Sequence, residues 1–217
     1  MPLHILKLVT ALLLYGLLGS ALANQAETDE ARQRIQSFLD SANRYHAAFT
    51  QQLVDASGDV LEESSGEFWL QRPGQFRWHY APPMERLLVS NGEKIWLYDI
   101  ELEQVSVRAA DGALEQTPAG LLVASSMALD DYQLSIRERS GELLNVGLKP
   151  LNGQSDFEDI VLGLEGSTLV SLTLADHFGQ NTIIIFNDIE INPIIDISIF
   201  NLTFPPHVDI IDQTSGK

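Results

Sequence analysis

Gly66-Glu67-Phe68-Trp69-Leu70-Gln71-Arg72-Pro73-Gly74-Gln75-Phe76-Arg77-Trp78-His79-Tyr80 is the stretch on which the fold reading turns. Its apolar residues recur at every second position. Phe68 and Leu70 share one face of the first half, with Glu67 and Gln71 on the other. Phe76, Trp78 and Tyr80 share one face of the second half, opposite Arg77 and His79. A period of two marks strands with one buried face. Arg72-Pro73-Gly74 reads as a tight turn between them, so the stretch predicts an antiparallel hairpin. Strand parity puts Arg72 on the face of Phe68 and Leu70. Two readings stay open for it. The guanidinium either ends its strand and reaches solvent, or it is buried with its donors on backbone carbonyls, because an unpaired buried charge is very costly.

The pattern extends both ways from this hairpin. Arg86–Ser90 and Lys94–Ile100 flank Asn91-Gly92, which predicts a type I′ turn with positive φ at both central residues. Gln104–Arg108 continues the meander. Strands are expected again at Tyr132–Arg139, Leu143–Lys149, Phe157–Leu164, Leu169–Leu174, Thr182–Ile191 and Ile199–Phe204, the last followed by Val208–Ile211. Upstream, Ala31, Ile35, Phe38, Leu39, Ala42 and Tyr45 recur at helical spacing and predict a helix over 28–46. Thr117-Pro118 opens a second short helix with Leu121, Leu122, Ala124 and Met127 as its apolar stripe. Asp55, Asp59, Glu62 and Glu63 lack the spacing of a calcium loop and read as a solvated loop. The whole reads as one mainly β domain, a strongly curved sheet or open barrel with helical pieces.

The first 23 residues read as an address. Met1–Lys7 is mildly basic, Leu8–Leu18 is apolar, and Gly19-Ser20-Ala21-Leu22-Ala23 ends in Ala-x-Ala. This predicts a secretory signal peptide cleaved after Ala23, leaving 24–217 as the exported domain. The apolar run spans only about 16 Å as a helix, well short of a bilayer core. The chain carries 13 Lys plus Arg against 30 Asp plus Glu, a formal charge of −17, and no cysteine. That balance argues against general nucleic-acid binding and against adsorption to anionic lipid. The missing cysteine excludes disulfides, thiolate metal sites, a Cys nucleophile and an N-terminal lipid-modified Cys.

No nucleophile elbow, phosphate loop or metal-binding helix motif occurs, and the five histidines are scattered. The residues therefore point to no enzyme, metal or cofactor. The distinctive feature is aromatic: Phe68, Phe76, Tyr80, Tyr98 and all three tryptophans, Trp69, Trp78 and Trp96, lie close together in the chain. They fit an ordinary β core, or a concave sheet that holds an apolar ligand under two amphipathic helices.

Several segments resemble the periplasmic outer-membrane lipoprotein carrier family, LolA. They are Tyr45-His46-Ala47-Ala48-Phe49-Thr50-Gln51, the hairpin quoted above, Val89–Asp99, Leu102-Glu103-Gln104-Val105, Thr117-Pro118 and Leu202-Thr203-Phe204-Pro205-Pro206. The resemblance implies a single-domain, unclosed antiparallel β-barrel of roughly eleven strands, with helices as a lid over a hydrophobic cavity. It also implies a monomeric, non-enzymatic periplasmic chaperone without cofactor. Such a chaperone takes acylated lipoproteins from an inner-membrane ABC transporter of the LolCDE type. It then hands them to an outer-membrane receptor of the LolB type. Arg72 matches the family's lid-holding arginine, and Phe76 an aromatic at the contact with partners. The candidate cavity or partner-contact residues are Phe49, Phe68, Leu70, Phe76, Trp78, Tyr80, Trp96, Tyr98, Leu121 and Leu122. The alternative is a generic periplasmic lipid or fatty-acid binding β-barrel. The Ile-rich stretch Asn181–Phe200 matches no motif of the family.

Overall fold

The computed structural model describes residues 25–110, 122–123, 129–151 and 155–214. Helix α1 covers 25–41, and Ala31, Ile35, Phe38 and Leu39 form its buried stripe. The helix ends earlier than its apolar spacing predicts. Tyr45 continues the three- and four-residue rhythm, yet it lies on strand β1 (Arg44–Val54) and pairs with Leu70 and Ile191. Strand β1 itself is unannounced in the sequence. Its inward residues Tyr45, Ala47 and Phe49 alternate, but Ala48 blurs the contrast between faces, and a bulge between His46 and Ala48 interrupts its register with β11.

Among the described residues twelve strands form one sheet. After β1 come β2 (Val60–Gln71), β3 (Gln75–Tyr80), β4 (Arg86–Asn91), β5 (Lys94–Asp99) and β6 (Gln104–Ala109). The second run is β7 (Tyr132–Ser140), β8 (Leu143–Pro150), β9 (Phe157–Glu165), β10 (Thr168–Asp176) and β11 (Asn181–Ile191), followed by the short β12 (Asp209–Asp212). The spatial order is β12-β6-β5-β4-β3-β2-β1-β11-β10-β9-β8-β7. Two antiparallel meanders, β1–β6 and β7–β11, are thus joined by the β1–β11 ladder, and β12 adds parallel to β6. Among the described residues β7 and β12 are the edges, so the sheet curves without closing.

Three local expectations change. Strand β2 starts at Val60, so Glu62 and Glu63 belong to a ladder, opposite Leu53 and Gln52, and not to a loop. Positive φ in the β4–β5 turn falls on Gly92 alone (92°), not on Asn91. The Asn91 side chain instead accepts from the amides of Glu93 and Lys94, both at 2.9 Å, which keeps Asn91 in the strand. The expected strand Ile199–Phe204 is replaced by a 3₁₀ turn, Ile197–Phe200. Asp196 caps it by accepting from the Ser198 amide at 2.9 Å. The turn packs on the outer side of β3 and β4, where Phe200 is fully buried and Arg77 donates to the Ile199 carbonyl at 3.2 Å.

The main core fills the concave side of the sheet. In the second meander its rows include Leu148, Ile160, Leu174 and Leu162, Leu172, Ile184. Helix α1 lies over them. Arg34 donates to the Gly166 carbonyl at 3.0 Å, and the pairs Arg32–Asp130 and Arg139–Glu30, each at 2.9 Å, tie the helix to the second meander. Exposed pairs of this kind contribute about 0.2–1 kcal/mol each, so burial of the apolar stripe holds the helix.

Candidate functional site: an aromatic concave face and its arginine clasp

Strand parity concentrates rings on the concave face. Phe68 and Trp78 sit opposite each other on β2 and β3 with centroids 4.5 Å apart. Phe49 of β1 meets Trp78 at 5.1 Å and Tyr80 at 5.2 Å, both edge to face. Phe186 of β11 meets Tyr45 at 5.7 Å and Phe68 at 5.9 Å. Such offset and edge contacts add about 0.5–1.5 kcal/mol per pair beyond area burial. Gly66 lies between Phe49 and the β3 backbone, where an added Cβ would meet the His79 carbonyl oxygen at 1.9 Å. The bare position also leaves room for the Phe49 ring, whose Cε1 lies 3.0 Å from where that Cβ would sit. Tyr45 spends its hydroxyl on the Leu169 carbonyl at 2.8 Å, and burial raises its pKa far above the ordinary phenol range. At the rim Tyr80 donates to Gln51 Oε1 at 3.2 Å, and burial pushes its pKa up to about 12.

Arg72 closes the face at the other end. Its Nη1 donates to the Ala42 carbonyl just beyond α1, and its Nη2 to the Leu122 carbonyl at 2.8 Å. The guanidinium carbon also lies 4.9 Å over the Phe38 ring. Burial lowers its pKa to about 10. The adjoining turn adds two further ties. The Gly74 amide donates to the Val123 carbonyl at 3.2 Å, and Ser90 Oγ donates to the Gly74 carbonyl at 2.8 Å. One β-turn therefore clasps the end of α1, the helical residues 122–123 and the next hairpin. The planar five-donor fork of arginine suits two carbonyls in different directions, whereas a lysine ammonium would not span them in one plane.

Of the candidate residues, Phe49, Phe68, Leu70, Phe76 and Trp78 are buried on the concave face, and Tyr80 is half-buried at its rim. Leu122 is fully buried against the same core, while Leu121 lies outside the described residues, as does most of the second expected helix. Trp96 and Tyr98 do not line this face. Trp96 shares a row with Arg77, Val89 and Val107 on the opposite side of the sheet. There Trp96 and Tyr98 pack with Val105, Val107, Val208 and Phe204 in a separate small cluster. Tyr45, Phe186 and Phe38 also belong to the site, although the sequence pattern does not single them out. Tyr45 fits a helical and a strand rhythm equally well, and Phe186 is single among isoleucines.

Beyond the rim lies a groove of about 590 Å³, lined by Gln51, Ser64, Tyr80, Met84, Arg86 and neighbouring residues. Among the described residues no His, Asp or Glu cluster could hold a metal ion, and no helix is long and apolar enough to cross a membrane.

Fold and site together define an open antiparallel sheet with an aromatic concave face under a clasped helical cover. Residues 40–203 match the family model described as outer membrane lipoprotein carrier protein LolA. The chain is 39% identical over 204 residues to the outer-membrane lipoprotein carrier protein of Methylococcus capsulatus, covering 93% of this chain and 97% of that one. It is 40% identical over 204 residues to that of Chromohalobacter salexigens, covering 94% and 96%. A crystal structure of an uncharacterized conserved protein from Thermus thermophilus shares the fold, with a TM-score of 0.54 over 85% of this chain and 98% of that one at 12% identity. The chain belongs to the outer-membrane lipoprotein carrier family.

Proposed function

We propose that this chain is a periplasmic chaperone that carries acylated lipoproteins from an inner-membrane ABC transporter to an outer-membrane receptor. Family membership supports the role, and the observation that carries it is the aromatic concave face under a cover held by Arg72. Moving acyl chains through water is costly. Each buried CH₂ is worth about 0.8 kcal/mol, so three long chains need a container worth roughly 30 kcal/mol. An apolar face that a cover can expose or hide supplies this without covalent chemistry, so the role needs no catalytic residue. In this reading the N-terminal 23 residues direct export, and Arg72 sets the balance between open and closed cover. The negative charge steers the carrier towards basic partner surfaces.

The test is release of labelled lipoprotein from spheroplasts by the purified exported chain. A soluble one-to-one complex in the supernatant is the expected result. Failure of release by folded protein, with a matched transporter, would end the chaperone reading and leave a lipid-binding β domain.

A further inference from the structure

One group on the concave face is not explained by packing. Trp78 is 2% exposed, and its indole Nε1 has no hydrogen-bond partner among the described residues. Its ring is walled by Phe49, Phe68, Tyr80 and Phe186. The one polar atom these rings carry, the Tyr80 hydroxyl, is engaged with Gln51. The strands on either side are laddered to β3, which commits their backbone carbonyls to those pairings. Buried indole N–H groups usually find an acceptor, and leaving one unmade costs free energy. A phenylalanine would fill the same wall without that cost.

We propose that Trp78 Nε1 reads the ligand's carbonyl: it donates a hydrogen bond to the ester or amide carbonyl oxygen at the head of an acyl chain. This inference rests on the acyl-carrier reading given above. The chemistry is complementary, since indole N–H is a donor only and such a carbonyl is an acceptor only. The placement is directional as well. On one side of Trp78 lie Phe68 and Phe186, a wholly apolar surface for the chain. On the other, two residues along β3, Tyr80 opens onto the polar rim. Ser64 Oγ, the other buried polar atom without a partner among the described residues, lies at that rim and lines the groove of about 590 Å³. Trp78 thus stands at the boundary between apolar wall and polar exit, where an acyl chain passes into its head group.

The test compares monopalmitoylglycerol with its hexadecyl ether analogue, which keeps the chain and lacks the carbonyl. Affinities are read by displacement of a fluorescent dye from the exported chain. The native protein is expected to bind the ester about tenfold more tightly, one hydrogen bond's worth. Trp78→Phe is expected to bind both lipids alike, at the native protein's affinity for the ether. A second readout needs no folded variant. The Trp78 indole resonance in ¹⁵N-labelled native protein is expected to shift downfield with the ester and not with the ether. Retention of the ester preference by Trp78→Phe, or equal indole shifts with both lipids, overturns the proposal. If native protein binds neither lipid, the acyl-carrier reading fails first and the carbonyl assignment falls with it.

Discussion

Arg72 is where a single side chain does most to organise the cover. Its hydrogen bonds to the Ala42 and Leu122 carbonyls join segments far apart in sequence. A hydrogen bond to a charged donor contributes about 1.5–3 kcal/mol, so Arg72→Leu is expected to free the cover locally. Amide hydrogens at the end of α1 and at 122–123 should exchange on the order of 30-fold faster, while those of β9 and β10 keep their native rates. Unchanged exchange would mean that packing alone holds the cover. In the lipoprotein assay the same variant is expected to load cargo but hand it on poorly.

Tyr80 gives a prediction in pH. Its folded-state pKa is raised from 10 to about 12 by burial, so the fold holds the phenol proton more tightly than the unfolded chain does. That stabilisation is complete below pH 10 and is lost as pH rises through 10 to 12. Tyr80→Phe lacks the group, so it is expected to lose less stability than native protein between pH 9 and pH 12. Urea midpoints at the two pH values check it; equal losses would place the Tyr80 hydroxyl in solvent.

At the scale of elements, the β2–β3 ladder depends on one bare position. Gly66→Ala would drive a methyl group into the His79 carbonyl and is expected to cost about 1–3 kcal/mol, seen as a lowered urea midpoint. Most elements were legible because one face is buried and the other wet. The hairpin 66–80 and the strands of the second meander show this plainly. Strand β1 was not legible, because it is entered directly from α1 and Tyr45 belongs to both rhythms. The side taken by Trp96 and Tyr98 depends on the register of β4 with β5, and nothing local in their own strand reveals it. Arg72 was legible only as an oddity of parity. Its carbonyl partners come from segments that no local pattern connects to it.

For the whole molecule, charge is the dominant long-range property. A formal charge of −17 is expected to make association with a basic partner surface fast at low salt. Raising ionic strength from 0.05 to 0.5 M should slow the association rate by roughly tenfold or more and leave dissociation nearly unchanged. Stopped-flow mixing with the proposed outer-membrane receptor measures both, and a salt-independent association rate would remove steering from the account.

Among the described residues β7 and β12 are the edges of the sheet, and this bears on how much such a molecule could hold. In a closed barrel, strand number and stagger fix the radius, and a larger content can be admitted only by breaking a ladder. This sheet has no such condition to satisfy. Its two meanders share one backbone ladder, β1–β11, so the sheet can flatten or curl about it with each pair of strands still hydrogen-bonded. Capacity is then an elastic quantity, adjusted by bending a sheet, and thick or thin contents can meet the same aromatic wall.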